Sequence, residues 1–215
     1  MNLRLSNVQR LPVWAPTLLF VAGAFLQPWL EADMARHMGL ELPFLFMLGW
    51  LYAVAGGRRL CACLAPWNAH GLTAWVVAMA ATGFWMLPVA LDLAVLNPWV
   101  GLAKVASLVL AGLLLGASWR QSSPVIQAFF VFNWCWMMAA TGLVYQQASS
   151  QLCSVYLPQE QAQAGVAIVG WAIAVFLLWA WHAVRASRLL DQKGGAGEPL
   201  VFRLDRDAQR HEMRL

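Results

Sequence analysis

The chain has 215 residues, of which 61% are hydrophobic and only 11% charged. A water-soluble domain of that length carries roughly a quarter charged residues, so this composition excludes a soluble globular protein and leaves a lipid-embedded one. The net charge of +4 does not point to nucleic acid; it follows from where the cations lie along the chain.

Six apolar runs are expected to form membrane-spanning helices, over 12–30, 39–56, 70–90, 99–118, 124–145 and 163–184. Each is apolar around its whole circumference, as suits a helix packed on lipid or on neighbours. A crossing needs roughly 20 residues, so six crossings leave no room for an extramembrane globular domain. Arg4 and Arg10 precede a first run longer than a secretory signal core, which reads as a retained helix. With the N-terminus in the cytoplasm, twelve of the fourteen Lys and Arg fall inside, Arg58, Arg59, Arg120 and Arg185 among them. Arg36 and Lys104 remain outside. The reading is an all-α, polytopic transmembrane bundle of six spans with both termini cytoplasmic. Residues 1–187 form the membrane domain and 188–215 a flexible charged tail. The expected location is the bacterial inner membrane.

The acids reverse the cation pattern. Glu31, Asp33, Glu41, Asp92 and Glu160 fall at the outer ends of spans. In the stretch Ala32–Glu41, the residues Met34, His37, Met38 and Glu41 follow i, i+3, i+4, i+7 and share one helical face. Thioether and imidazole together suit a soft cation such as Cu(I). Asp33 lies one turn before His37 and could orient its ring. The competing reading is an interfacial histidine among methionines common in membrane helices, and one helix cannot complete a metal site.

A second polar stretch runs from Trp85 through Pro88 to Asp92, followed by Asn97-Pro98 and Lys104. A lysine inside a span needs a carboxylate. Asp92 is its nearest candidate partner, with Glu41 and Asp33 as others, and a structural ion pair is the favoured reading. Cys153, in the outer segment Gln146–Glu160, reads as an inert buried thiol. The C-x-C pair Cys61 and Cys63 is weak as a metal signal. His70 and His182, on two inner helix ends, offer an alternative as haem axial ligands, although interfacial histidines are the commoner case. No nucleotide, zinc-protease or triad motif is present, and no catalytic constellation is argued.

Two of these stretches resemble the CtaG-type multi-spanning membrane proteins, assembly factors for haem–copper cytochrome oxidase. Ala32-Asp33-Met34-Ala35-Arg36-His37-Met38 is similar to the family's A-H-M-x-x-H-M. Trp85-Met86-Leu87-Pro88-Val89-Ala90-Leu91-Asp92 is similar to its W-x-x-P-x-x-x-D, and Gln159–Gly165 echoes its D-Q-x-x-G. The resemblance covers roughly residues 15–180. It departs at Asp33, where the family has histidine, and at Ala103-Lys104, where it has an acidic–histidine pair. Only His37 of the copper-binding histidines is present, so a fixed lysine charge stands where a ligand is expected.

The resemblance implies a non-enzymatic accessory protein for respiratory oxidase assembly, handling copper or holding an assembling oxidase subunit on the periplasmic face. The alternative is a structural or haem b-binding subunit of a membrane electron-transfer complex. A permease ranks last, because few polar groups lie near the expected midplane. The partners expected are the bilayer and another membrane protein, and no nucleic acid.

Overall fold

The computed structural model describes residues 12–148 and 151–194. Among the described residues there is helix and no strand. Helix α1 runs Trp14–Leu30. The chain then turns through Glu31–Asp33, and extended Asp33 caps the next helix: its Oδ1 accepts from the backbone N–H of Ala35 at 2.8 Å and of Arg36 at 3.2 Å. Such a cap satisfies donors that a helix start otherwise leaves free. It opens α2, Met34–Arg36, which passes through a π-turn, His37–Glu41, into α3, Leu42–Leu64. In that turn Leu42 N–H reaches back five residues to His37 O. The backbone of α3 breaks helical geometry at Gly57, where φ is +57°, a region in which a Cβ is strained.

Past two short 3₁₀ turns lie α4, Leu72–Phe84, and α5, Pro88–Leu96. They meet at a 78° bend. Proline disfavours helical backbone in the residue before it, and Leu87 is accordingly extended. The break is held from two sides. Tyr145 OH donates to Met86 O at 2.6 Å, and Trp85 Nε1–H donates to Ser107 Oγ at 2.8 Å. Next come α6, Pro98–Ser118, α7, Pro124–Gln147, and α8, Pro158–Gly194. Proline opens each of α5 to α8, where its missing N–H costs nothing. Asn97 and Ser123 cap α6 and α7 with their side chains.

Among the described residues, four helices are long and apolar enough to cross a membrane: Met34–Gly57, Pro98–Ser118, Pro124–Gln147 and Pro158–Arg188. Counting the bent α4–α5 pair as one span makes five. The straight third span expected over 70–90 is thus two helices, because Pro88 breaks it. Helix α1 is apolar but has 17 residues, the short limit for a crossing. The tail expected from 188 begins as helix, since α8 continues to Gly194. The remaining tail, like Arg4 and Arg10, lies outside the described residues.

Two compact units divide the chain, Met1–Phe176 and Leu177–Leu215. In the second, the described residues continue α8, and the Arg185 guanidinium lies 5.7 Å from the Trp181 ring centre. In the first, α3 and α6 are in close backbone contact. A Cβ at Gly112 would fall onto Phe46 O, and one at Gly49 onto Val109 O. Glycine is what permits that approach. Away from the acidic residues, buried Trp75 stacks on Phe130 and donates to Ser122 Oγ, while Asn68 pairs with Ser118 Oγ and takes the Ala74 N–H.

Candidate functional site

Lys104 sits six residues into α6, about 9 Å along its axis, and its side chain is fully buried. A charge in that position needs partners. Its Nζ lies 2.6 Å from Glu41 Oε1, 2.7 Å from Glu31 Oε1 and 3.0 Å from His37 Nε2. An ammonium has three protons, and here each has an acceptor. Glu31 arrives from the end of α1, where Gln27 Nε2 donates to its Oε1 at 3.0 Å. His37 and Glu41 bound the π-turn, and both are buried.

The histidine tautomer follows from the same network. Tyr156 OH donates to the Glu31 carbonyl at 2.9 Å, so its oxygen accepts from His37 Nδ1–H at 2.7 Å. Nε2 therefore carries a lone pair and accepts from Lys104. One oxygen is left out. Glu41 Oε2 is buried and has no hydrogen-bond partner, with His37 Nε2 at 3.5 Å offering no proton. One ammonium and two carboxylates leave the cluster with a surplus negative charge when both acids are ionised.

The π-turn also redirects backbone. Gly39 O accepts from Trp171 Nε1–H at 2.7 Å, tying α8 to the turn. The segment after α7 is anchored at the same end. Asp92 Oδ2 accepts from Ser154 N at 2.7 Å and Ser154 Oγ at 2.8 Å. Buried Gln161 takes the Leu152 N–H and donates to Tyr145 O. Cys153 is buried, and burial first, then the Asp92 charge, pushes its thiol up to about 12. It is protonated at neutral pH, in keeping with an inert thiol.

The sequence-derived site is thus rearranged. Of the metal set Met34, His37, Met38 and Glu41, the two polar members join the cluster. Met34 and Met38 are buried on the same segment but are not among the partners of Lys104. Of the three carboxylates expected as partners of Lys104, Glu41 pairs with it, whereas Asp33 caps α2 and Asp92 holds Ser154; the second partner is Glu31. His70 and His182 are both exposed, and His70 adopts a left-handed turn conformation, φ +55°. The side chain of Cys61 lies outside the described residues, and Cys63 is exposed. Sequence reasoning missed Glu31 as the second carboxylate and Tyr156 as the ring anchor. Glu31 is legible as an acid at a span end, but nothing in the sequence pairs it with a residue 73 positions away.

Glu31, His37 and Glu41 each offer a ligand atom within 4.8 Å of the others. The Lys104 ammonium already bridges all three, and the donors are two carboxylates and one imidazole. That set does not fit Cu(I), which favours thioether and thiolate.

Among curated proteins and among solved structures, nothing matches the chain. One family does, across residues 18–185. That stretch takes in α1 beyond its first turn, the Lys104 cluster and the bent helix pair. By that match the chain belongs to the family described as "Protein of unknown function (DUF1404)".

Proposed function

We propose that the chain is a six-span bacterial inner-membrane accessory protein, with α1 as a short first crossing, both termini in the cytoplasm, and its working part at the Lys104 end. The reading that the residues support best is a holder of an assembling haem–copper oxidase subunit. What carries it is one placement. The two stretches that resemble the oxidase assembly family, Ala32–Met38 and Trp85–Asp92, converge at one end of a single unit. Tyr156 joins the first to the segment after α7, and Ser154 joins the second to it. Copper donation is left out of this reading, because the lysine fills the centre of the one group of three or more His, Cys, Asp or Glu ligands found among the described residues.

Reporter fusions test the orientation. A periplasm-active reporter placed after Gln151 is expected to be active, and one after Leu215 silent; the reverse pattern would exclude the proposed topology. The assembly role has its own test. His37→Ala is expected to lower the mature oxidase haem signal in membranes while the protein itself stays membrane-bound. Unchanged oxidase spectra with the variant present at normal amount would sink the assembly reading.

A further inference from the structure

A cleft of about 460 Å³ lies beside the cluster, bounded by α1, α3, α5 and α6. Its apolar walls include Phe20 and Ala24 of α1, Phe44 of α3, Val95 of α5, and Leu102 and Val105 of α6. Its polar lining is Gln27, Glu31 and Glu41. The rim residues Phe20 and Leu102 are 39% and 59% exposed. The cleft therefore opens along apolar helix flanks, where acyl chains lie in a membrane, and not only at a helix end.

Its chemistry is lopsided. Lys104 directs its three protons to Glu31 Oε1, Glu41 Oε1 and His37 Nε2. None remains for Glu41 Oε2, which is buried without a partner. A buried acceptor left unpaired costs free energy that a matching donor recovers. With both acids ionised, the surplus negative charge of the cluster makes that donor more favourable and repels an anion. A volume of this size suits a small ligand or one end of a longer one.

We propose that this cleft binds a hydrocarbon-soluble molecule that presents a hydrogen-bond donor, a protonated amine or a hydroxyl, to Glu41 Oε2. The walls take the hydrocarbon and the carboxylate takes the head. Carboxylate or phosphate heads are rejected by the surplus charge, and acceptor-only heads leave Oε2 unpaired. The inference rests on the cleft and the unpaired oxygen, and stands apart from the assembly role.

Isothermal titration of the purified full chain in non-ionic detergent, with four probes sharing one ten-carbon tail, tests it. The probes are decylamine, decanol, decyl methyl ether and decanoate. Decylamine, decanol or both are expected to bind at least about tenfold more tightly than the ether and decanoate, the scale of a hydrogen bond to a charged group. Decylamine alone assigns a cationic head, whereas decanol binding assigns a neutral hydroxyl. Ala24→Trp fills the cleft from an exposed position without removing any member of the charge cluster, and should abolish the preferred binding. Glu41→Gln should weaken it by about tenfold; if that variant does not fold, the head-group series and Ala24→Trp decide. Four probes binding alike, none binding, or tight binding that survives Ala24→Trp would overturn the proposal.

Discussion

Lys104→Met is expected to destabilise the folded chain by about 3–5 kcal/mol, the penalty for removing one partner from a buried ion pair. The substitution keeps the side-chain volume but strands Glu31 Oε1, Glu41 Oε1 and His37 Nε2, all within 3.0 Å of the lost ammonium. Most of that cost belongs to the carboxylates left behind. The triple variant Lys104→Met, Glu31→Gln, Glu41→Gln should therefore recover much of it, because replacing all members of a buried charged set is often near neutral. Denaturation of the purified protein in detergent, followed by tryptophan emission, gives both values. A single variant as stable as the parent would mean that the cluster is not formed. A triple variant no better than the single one would place the cost elsewhere.

Gly112→Val should also destabilise the fold, through packing instead of charge. A Cβ there meets Phe46 O, with Phe46 C at 2.9 Å and Trp50 N at 3.1 Å. These are backbone atoms of α3 and cannot rotate away. The helices must separate, at about 1–3 kcal/mol for overpacking, and α6 carries Lys104 with it. The variant is expected to lose stability and, by moving α6, to loosen the grip on Glu41. Gly170→Ala is the matched control, since nothing lies within 4 Å of its added Cβ. It should be neutral, or more stable by up to about 1 kcal/mol from helix propensity. Equal losses at the two positions would show that general helix effects, and not the α3–α6 contact, set the cost.

Membrane embedding and most helix limits were legible along the chain, for local reasons. Apolar runs mark spans because lipid-facing backbone must be satisfied within its own helix. Pro98 and Pro124 stand at or beside the expected starts 99 and 124, since a first-turn position loses nothing without an N–H, whereas α8 opens at Pro158, ahead of the expected 163. Pro88 is equally visible, yet reading 70–90 as one straight span underweighted it. The break needs support from other helices: Tyr145 OH takes the backbone carbonyl of Met86, and Ser107 Oγ holds the Trp85 indole. The π-turn at His37–Glu41 was not legible, since its extra residue is accommodated by Trp171 on α8.

The candidate site divides the same way. Lys104 stood out because charge inside an apolar run is costly, and His37 and Glu41 because they share one helical face. The helical period also brought Met34 and Met38 into the expected set, because period shows a shared face and not which atoms converge. Glu31 and Tyr156 join through contacts 73 and 119 positions apart.

By itself the sequence determined the solvent, the helical class and the presence of a lysine that had to be neutralised. Transfer free energy and backbone satisfaction act residue by residue, so composition and local pattern suffice for those. Only the tertiary structure decided which acids neutralise the lysine, which tautomer the histidine holds and which carboxylate oxygen is left unpaired. Those outcomes depend on distances of a few ångströms between separate helices, set by how closely glycine lets α3 and α6 approach.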